Sequence, residues 1–182
     1  WQRAVERLRL VVPLTLVVIV LLLYLNFRRL ADVLLVLGTL PFALVGGCWL
    51  LWALGYHLSV AVAVGFIALA GVAAETGVVM LLYLERAWRD RLARGERTRA
   101  ALHDAIVEGA LLRLRPKLMT VVTIMAGLLP VMLGSGTGAE VMRRIAAPMV
   151  GGMVSATLLT LVVIPSAFWL WHARALERAA AG

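Results

Sequence analysis

The sequence is poor in the residues from which most enzymatic sites are built. It has a single cysteine, Cys48, inside an apolar run, which excludes a disulfide framework and any CxxC metal or redox pair. HExxH and GxSxG are both missing, and His57 and His103 fall in unrelated segments, so no zinc site and no serine nucleophile elbow can be argued. The glycine-rich GSGTGAE at 134–140 is not followed by GK[ST] and reads as a turn rather than a phosphate cradle. Charge is scarce as well. Only 15% of the 182 residues are charged, against about 25% in soluble domains.

What fills the chain is apolar: 63% of residues are hydrophobic and the mean hydropathy is +0.95. This is the composition of a membrane protein. The net charge of +8 does not point to nucleic acid, because the arginines sit between hydrophobic runs rather than on one soluble face. The chain begins at Trp1 without an initiator Met or a signal-peptide pattern, and it reads as a piece of a longer protein.

Crossing the hydrocarbon core takes about 20 apolar residues in a helix. Five segments qualify, at about 11–27, 33–54, 58–84, 118–133 and 141–171. Pro41, Gly46 and Gly47 lie inside the second, Pro130 inside the fourth and Pro165 near the end of the fifth. Such residues are tolerated where neighbouring helices re-satisfy the backbone. The stretch 98–114 (TRAALHDAIVEGALLRL) differs. Ala101, Leu102, Ala105, Ile106 and Leu112 recur at helical spacing among Arg99, His103, Asp104 and Glu108, which predicts an interfacial helix on the cytoplasmic membrane surface. The expected fold is therefore all-α: a polytopic bundle of five transmembrane helices plus one interfacial helix.

Orientation follows from the basic residues. Arg28 and Arg29, the run from Arg86 to Lys117, and Arg174 with Arg178 share one side if the spans alternate, whereas the other side carries Arg3, Arg7, Arg9, His57, Arg143 and Arg144. The richer side should be cytoplasmic, which puts the C-terminus inside.

Against this apolar background Glu75, in GVAAETGVVM, stands out. A carboxylate in mid-span costs about 2.5–3.5 kcal/mol on insertion scales. Ala68, Gly71 and Val79 share its helical stripe, with Val72 near, and small residues there let another helix approach closely. Burial favours the protonated form of a carboxyl, so Glu75 is suited to binding and releasing protons. The alternative is a neutral, hydrogen-bonded Glu that never titrates. Lys117 is the only lysine in the chain, and a desolvated lysine can lose its proton where an arginine cannot. It can equally be a residue at the cytoplasmic helix end, snorkelling to the headgroups. Thr120, one residue short of a turn further in, is placed to hydrogen-bond a relay partner.

Most of the seven methionines fall in the last two spans, and Met142, Met149 and Met153 are spaced to share one stripe of the fifth. Thioethers suit soft cations such as Cu(I). Met also packs well against irregular partners, which is the simpler reading for the group as a whole.

Four stretches together resemble the resistance-nodulation-division (RND) transporters, nearest their heavy-metal efflux branch: PFALVGGCWLLWALGYHLSVA (41–61), GFIALAGVAAETGVVMLLYL (65–84), RLRPKLMT (113–120) and GLLPVMLGSGTGAEVMRRIAAPMVGGM (127–153). The resemblance implies that residues 1–182 are the C-terminal half of an RND transmembrane domain, with the N-terminal half and the periplasmic domains absent. It implies proton-driven efflux of Cu(I) or Ag(I), with Glu75, Lys117 and Thr120 in the proton relay and Met142 passing the metal. The ion is then substrate, the proton the coupling ion, and no cofactor or catalytic chemistry is expected. The implied partners are the N-terminal half, two further copies in a homotrimer, a periplasmic adaptor, an outer-membrane channel and the lipid bilayer of a Gram-negative inner membrane. Divalent-metal pumps of the same branch usually lack this Glu and this Met. Drug exporters carry a lysine in place of the Glu. Protein-export relatives of the SecD/SecF type fit less well, because GAEVM and APMVGGM argue against them.

Overall fold

The computed structural model describes the backbone of residues 2–181 and the side chains of residues 11 and 13–177. Arg3, Arg7, Arg9 and Arg178, counted above in the charge balance, have side chains outside that set. The fold is all-helical: α1 (Gln2–Phe27), α2 (Leu30–Ala53), α3 (Val60–Ala93), α4 (Arg99–Leu133) and α5 (Ala139–Ala181). Among the described residues four helices are long and apolar enough to cross a membrane, namely α2, α3, α4 and α5. The apolar described part of α1, Pro13–Phe27, is shorter.

Two compact units divide the chain. The first, Trp1–Leu35, holds α1 and the first turns of α2. Its break is at Arg28, which takes a left-handed φ of 54° while its N–H still bonds Tyr24 O at 2.7 Å.

The second unit, Val36–Gly182, contains the rest. Its helix ends are written in local chemistry. Ser59 and Thr98 cap α3 and α4, their hydroxyls accepting from Val62 N at 3.4 Å and Ala101 N at 3.2 Å. Gly55 ends α2 in a left-handed conformation, with Gly55 N–H bonding Trp52 O and Tyr56 N–H bonding Leu51 O. Gly95 ends α3 by the same pair of bonds, to Leu92 O and Arg91 O.

Inside the span region α2, α3 and α5 approach at glycines. A Cβ on Gly46 would lie 2.5 Å from Gly151 O, and one on Gly47 would lie 2.9 Å from Pro148 O. A Cβ on Gly65 would collide with Ile145 O, and one on Gly152 with the side chain of Leu69. Ser155 Oγ donates to Ala43 O at 3.1 Å and so ties α5 to α2 by one interhelical hydrogen bond. With no hydrophobic force to join helices in lipid, close packing and such bonds hold them together.

The structure corrects one expectation. The stretch is not a helix of its own; residues 99–114 form the first half of α4, which runs unbroken through Pro116 to Leu133. Most of their apolar face is covered by protein, although Leu112 is 60% exposed. Ala101, Leu102, Ala105 and Ile106 are buried, and α4 packs on both α3 and α5. At Gly109 the helices come so near that a Cβ would lie 3.1 Å from Tyr83 O. α3 likewise continues past the expected end of its span, with Leu81, Leu84 and Trp88 buried on one stripe. Arg91 braces the resulting hairpin, bonding Glu96 at 3.1 Å and Glu108 at 3.2 Å. At the α5 side Phe168 stacks on His172 at 4.0 Å, Trp88 meets His172 edge-on at 6.3 Å, and Arg99 pairs with Glu177.

Candidate functional site

Two faces of α3 have opposite character. Leu69, Ala73, Gly77 and Met80 are buried in the second unit, whereas Ala68, Gly71 and Glu75 are exposed. A Cβ on Gly71 would meet no atom within 4 Å. Glu75 thus stands on an open strip of small residues of α3. In a membrane a carboxylate there needs cover from protein or a water-filled path, since facing lipid is costly.

Lys117 belongs to α4 and is only 6% exposed. Burial is the main influence on its ammonium; Arg113, one turn earlier on the same helix, adds repulsion, and Glu75 contributes a smaller attraction. Glu75 and Lys117 thus stand on two different helices, Glu75 exposed and Lys117 buried. A buried ammonium is stable only where an opposite charge offsets its lost hydration. Arg113 was counted in the sequence only toward membrane orientation, yet it is part of this environment. Its guanidinium lies 5.7 Å from the ring centre of Tyr83, and its Nε is buried with no hydrogen-bond partner among the described residues. The RLRPK run was the available signal, because residues 113 and 117 are one helical turn apart.

Thr120 is exposed, and its hydroxyl donates to Pro116 O at 2.9 Å within its own helix. It makes no bond to Glu75 or Lys117 in this conformation. Thr76, beside Glu75, is occupied in the same way by Val72 O at 2.8 Å.

Met142 lies apart from these residues, in the first turn of α5, and is 54% exposed. Met149 is half-buried and Met153 is 2% exposed. The three sulfurs share a stripe but not an environment. Arg143 Nε donates to Gly134 O at 3.0 Å and fastens the preceding loop to the start of α5. Arg144 pairs with Glu140 and sits 5.9 Å from the ring centre of Tyr56. Among the described residues no group of three or more His, Cys, Asp or Glu could hold a metal ion. A soft ion at this end would find thioether, not imidazole or carboxylate clusters.

The chain is similar to several known proteins. The chain is 54% identical to "Cation efflux system protein CusA" of Escherichia coli (strain K12), over 95% of this chain and 17% of that protein. It is 56% identical to "Putative cation efflux system protein SilA" of Salmonella typhimurium, over 93% of this chain and 16% of that one. It is 43% identical to "Cobalt-zinc-cadmium resistance protein CzcA" of Cupriavidus metallidurans, over 94% and 15%. The crystal structure of a heavy metal efflux pump superposes with a TM-score of 0.77 at 37% identity, over 93% of this chain and 16% of that one. The chain thus spans about a sixth of the length of these relatives. Residues 1–172 match the AcrB/AcrD/AcrF family, and with this helical frame and these relatives the chain belongs to that family of RND transporters.

Proposed function

We propose that the chain is the C-terminal half of the membrane domain of a proton-driven efflux pump for Cu(I) and Ag(I). The observation that supports this reading is the placement of two rare charged residues in adjoining helices, Glu75 on an open strip of α3 and Lys117 buried on α4. Ionised, Glu75 holds the Lys117 ammonium by attraction. Protonated, it releases that hold, and α3 and α4 are free to shift relative to one another. A proton arriving from outside and leaving inside thereby does mechanical work on two helices. The N-terminal half of the transporter covers Glu75 and supplies the groups to which its proton passes, with Thr120 turning from Pro116 O to join them. No covalent chemistry is needed, so the protein is a secondary transporter and works without a cofactor.

Met142 takes part in the metal path, because it offers an exposed thioether at the start of α5. The functional unit is a trimer in the inner membrane, joined to a periplasmic adaptor and an outer-membrane channel, with the C-terminus of this segment cytoplasmic. A second reading, export of divalent ions, is favoured by the 43% identity to a cobalt-zinc-cadmium resistance protein. Metal-resistance assays decide between the two. Cells carrying the full-length parent gene should resist copper and silver salts. Resistance to zinc, cobalt and cadmium alone would replace this reading by the second.

A further inference from the structure

A groove of about 440 Å³ runs between the first half of α4 and the last third of α5 and shares no residue with the Glu75–Lys117 pair or with Met142. His103, Ile106, Pro165, Ser166, Trp169 and Leu170 line it. The walls are apolar, and the hydroxyl of Ser166 is already committed to Val162 O at 2.6 Å. The two helices run antiparallel, with Arg99 paired to Glu177 at the charged end. Pro165 therefore marks the end of the groove toward the apolar span, and His103 the end toward water. Trp169 sits between them and the 58%-exposed Trp171 follows. Tryptophan favours this headgroup level, where one end of the side chain is apolar and the other wet.

The cations at the watery rim differ in availability. Arg99 is taken by Glu177, and His103 Nδ1 lies 3.7 Å from Asp104. Arg174, one turn beyond Leu170 on the same face of α5, is exposed. We propose that the groove is a site for one anionic phospholipid, with an acyl chain against Ile106, Pro165, Trp169 and Leu170 and the phosphate at Arg174. Apolar walls at chain depth and an exposed guanidinium at headgroup depth are what such a molecule requires.

The test places the purified full-length parent protein in phosphatidylcholine nanodiscs containing trace phosphatidylglycerol with a photoactivatable group in its acyl chain. Labelled peptides are then mapped by mass spectrometry. Label should concentrate at residues 103–106 and 165–170 and exceed that from a phosphatidylcholine probe. Arg174→Gln should lower this headgroup preference about fivefold, equivalent to the roughly 1 kcal/mol that one basic residue contributes at an anionic surface. Leu170→Trp fills the groove and should remove most of the label. If that variant loses helical content by circular dichroism, Ser166→Phe at the exposed rim makes the same test. Label spread evenly along the helices, label unchanged in the filled groove, equal labelling by both lipids, or label blocked by a bound protein segment would each overturn the proposal.

Discussion

Gly46 of α2 and Gly151 of α5 meet backbone to backbone: a Cβ on Gly46 would lie 2.5 Å from Gly151 O, and one on Gly151 would run into Gly46 O. The contact is reciprocal, so neither side can give way by turning a side chain. Gly46→Ala should destabilise the chain by about 1–3 kcal/mol, the range for overpacking a filled interior. Gly127→Ala is the control, because a Cβ at that position meets nothing within 4 Å. It should be neutral or stabilising by up to about 1 kcal/mol, since it removes a helical glycine. Thermal unfolding in detergent micelles measures both, and equal effects would contradict the packing described.

Glu75→Gln keeps shape and hydrogen bonding but cannot ionise. In the full-length parent it should abolish metal resistance while membrane insertion and expression stay normal. The variant should also have little effect on the stability of the 182-residue chain, in which Glu75 is exposed. Full resistance at equal expression would take Glu75 out of the mechanism.

Lys117→Arg separates a proton-releasing group from an anchor. Arginine keeps the charge and cannot give it up at any working pH. Transport in proteoliposomes under an imposed pH gradient should stop if the lysine proton must leave. Unchanged transport would mean that Lys117 serves only as a fixed counter-charge to Glu75.

The methionines make a graded prediction. Leu replaces Met at similar volume, for less than about 1.5 kcal/mol in a core. Met142→Leu should lower copper and silver resistance, because it removes an exposed sulfur. Met153→Leu, at a site 2% exposed, should change resistance much less, and half-buried Met149→Leu likewise. Equal behaviour of all three would end the assignment of Met142 as a single ligand.

Arg91 holds the hairpin between α3 and α4 through Glu96 and Glu108. Arg91→Ala leaves carboxylates facing one another without the guanidinium between them. Amide hydrogen exchange should rise at residues 94–100 while α2 and the span portion of α5 keep their protection. A uniform rise along the chain would show that Arg91 supports the whole unit rather than the hairpin.

Hydropathy made the spans legible because lipid leaves little choice: about 20 apolar residues in sequence must be helical. It failed where phase mattered more than composition. Glu85 and Arg86 look like the end of a span, yet Leu81, Leu84 and Trp88 carry the buried stripe straight past them into a protein interior. The amphipathic pattern of residues 98–114 was read correctly as a helix with one apolar face. What that face covers was not legible, because lipid and a neighbouring helix ask for the same residues. Glu75 and Lys117 were conspicuous as rare charges. Arg113 was hidden among many arginines and distinguished itself only by its place one turn from Lys117.

The absence of a break in α4 has a mechanical consequence. The helix is 35 residues long and carries Lys117 in its middle and Glu108 toward one end, a rod of about 52 Å at 1.5 Å per residue. α3 is a second rod, with Glu75 near its middle and Arg91 near its end. The Arg91–Glu108 clasp ties the two rods beyond the span, like the pivot of a pair of tongs. If protonation of Glu75 shifts α3 against α4 as proposed, the clasp confines the movement to the ends of the two rods remote from Arg91 and Glu108.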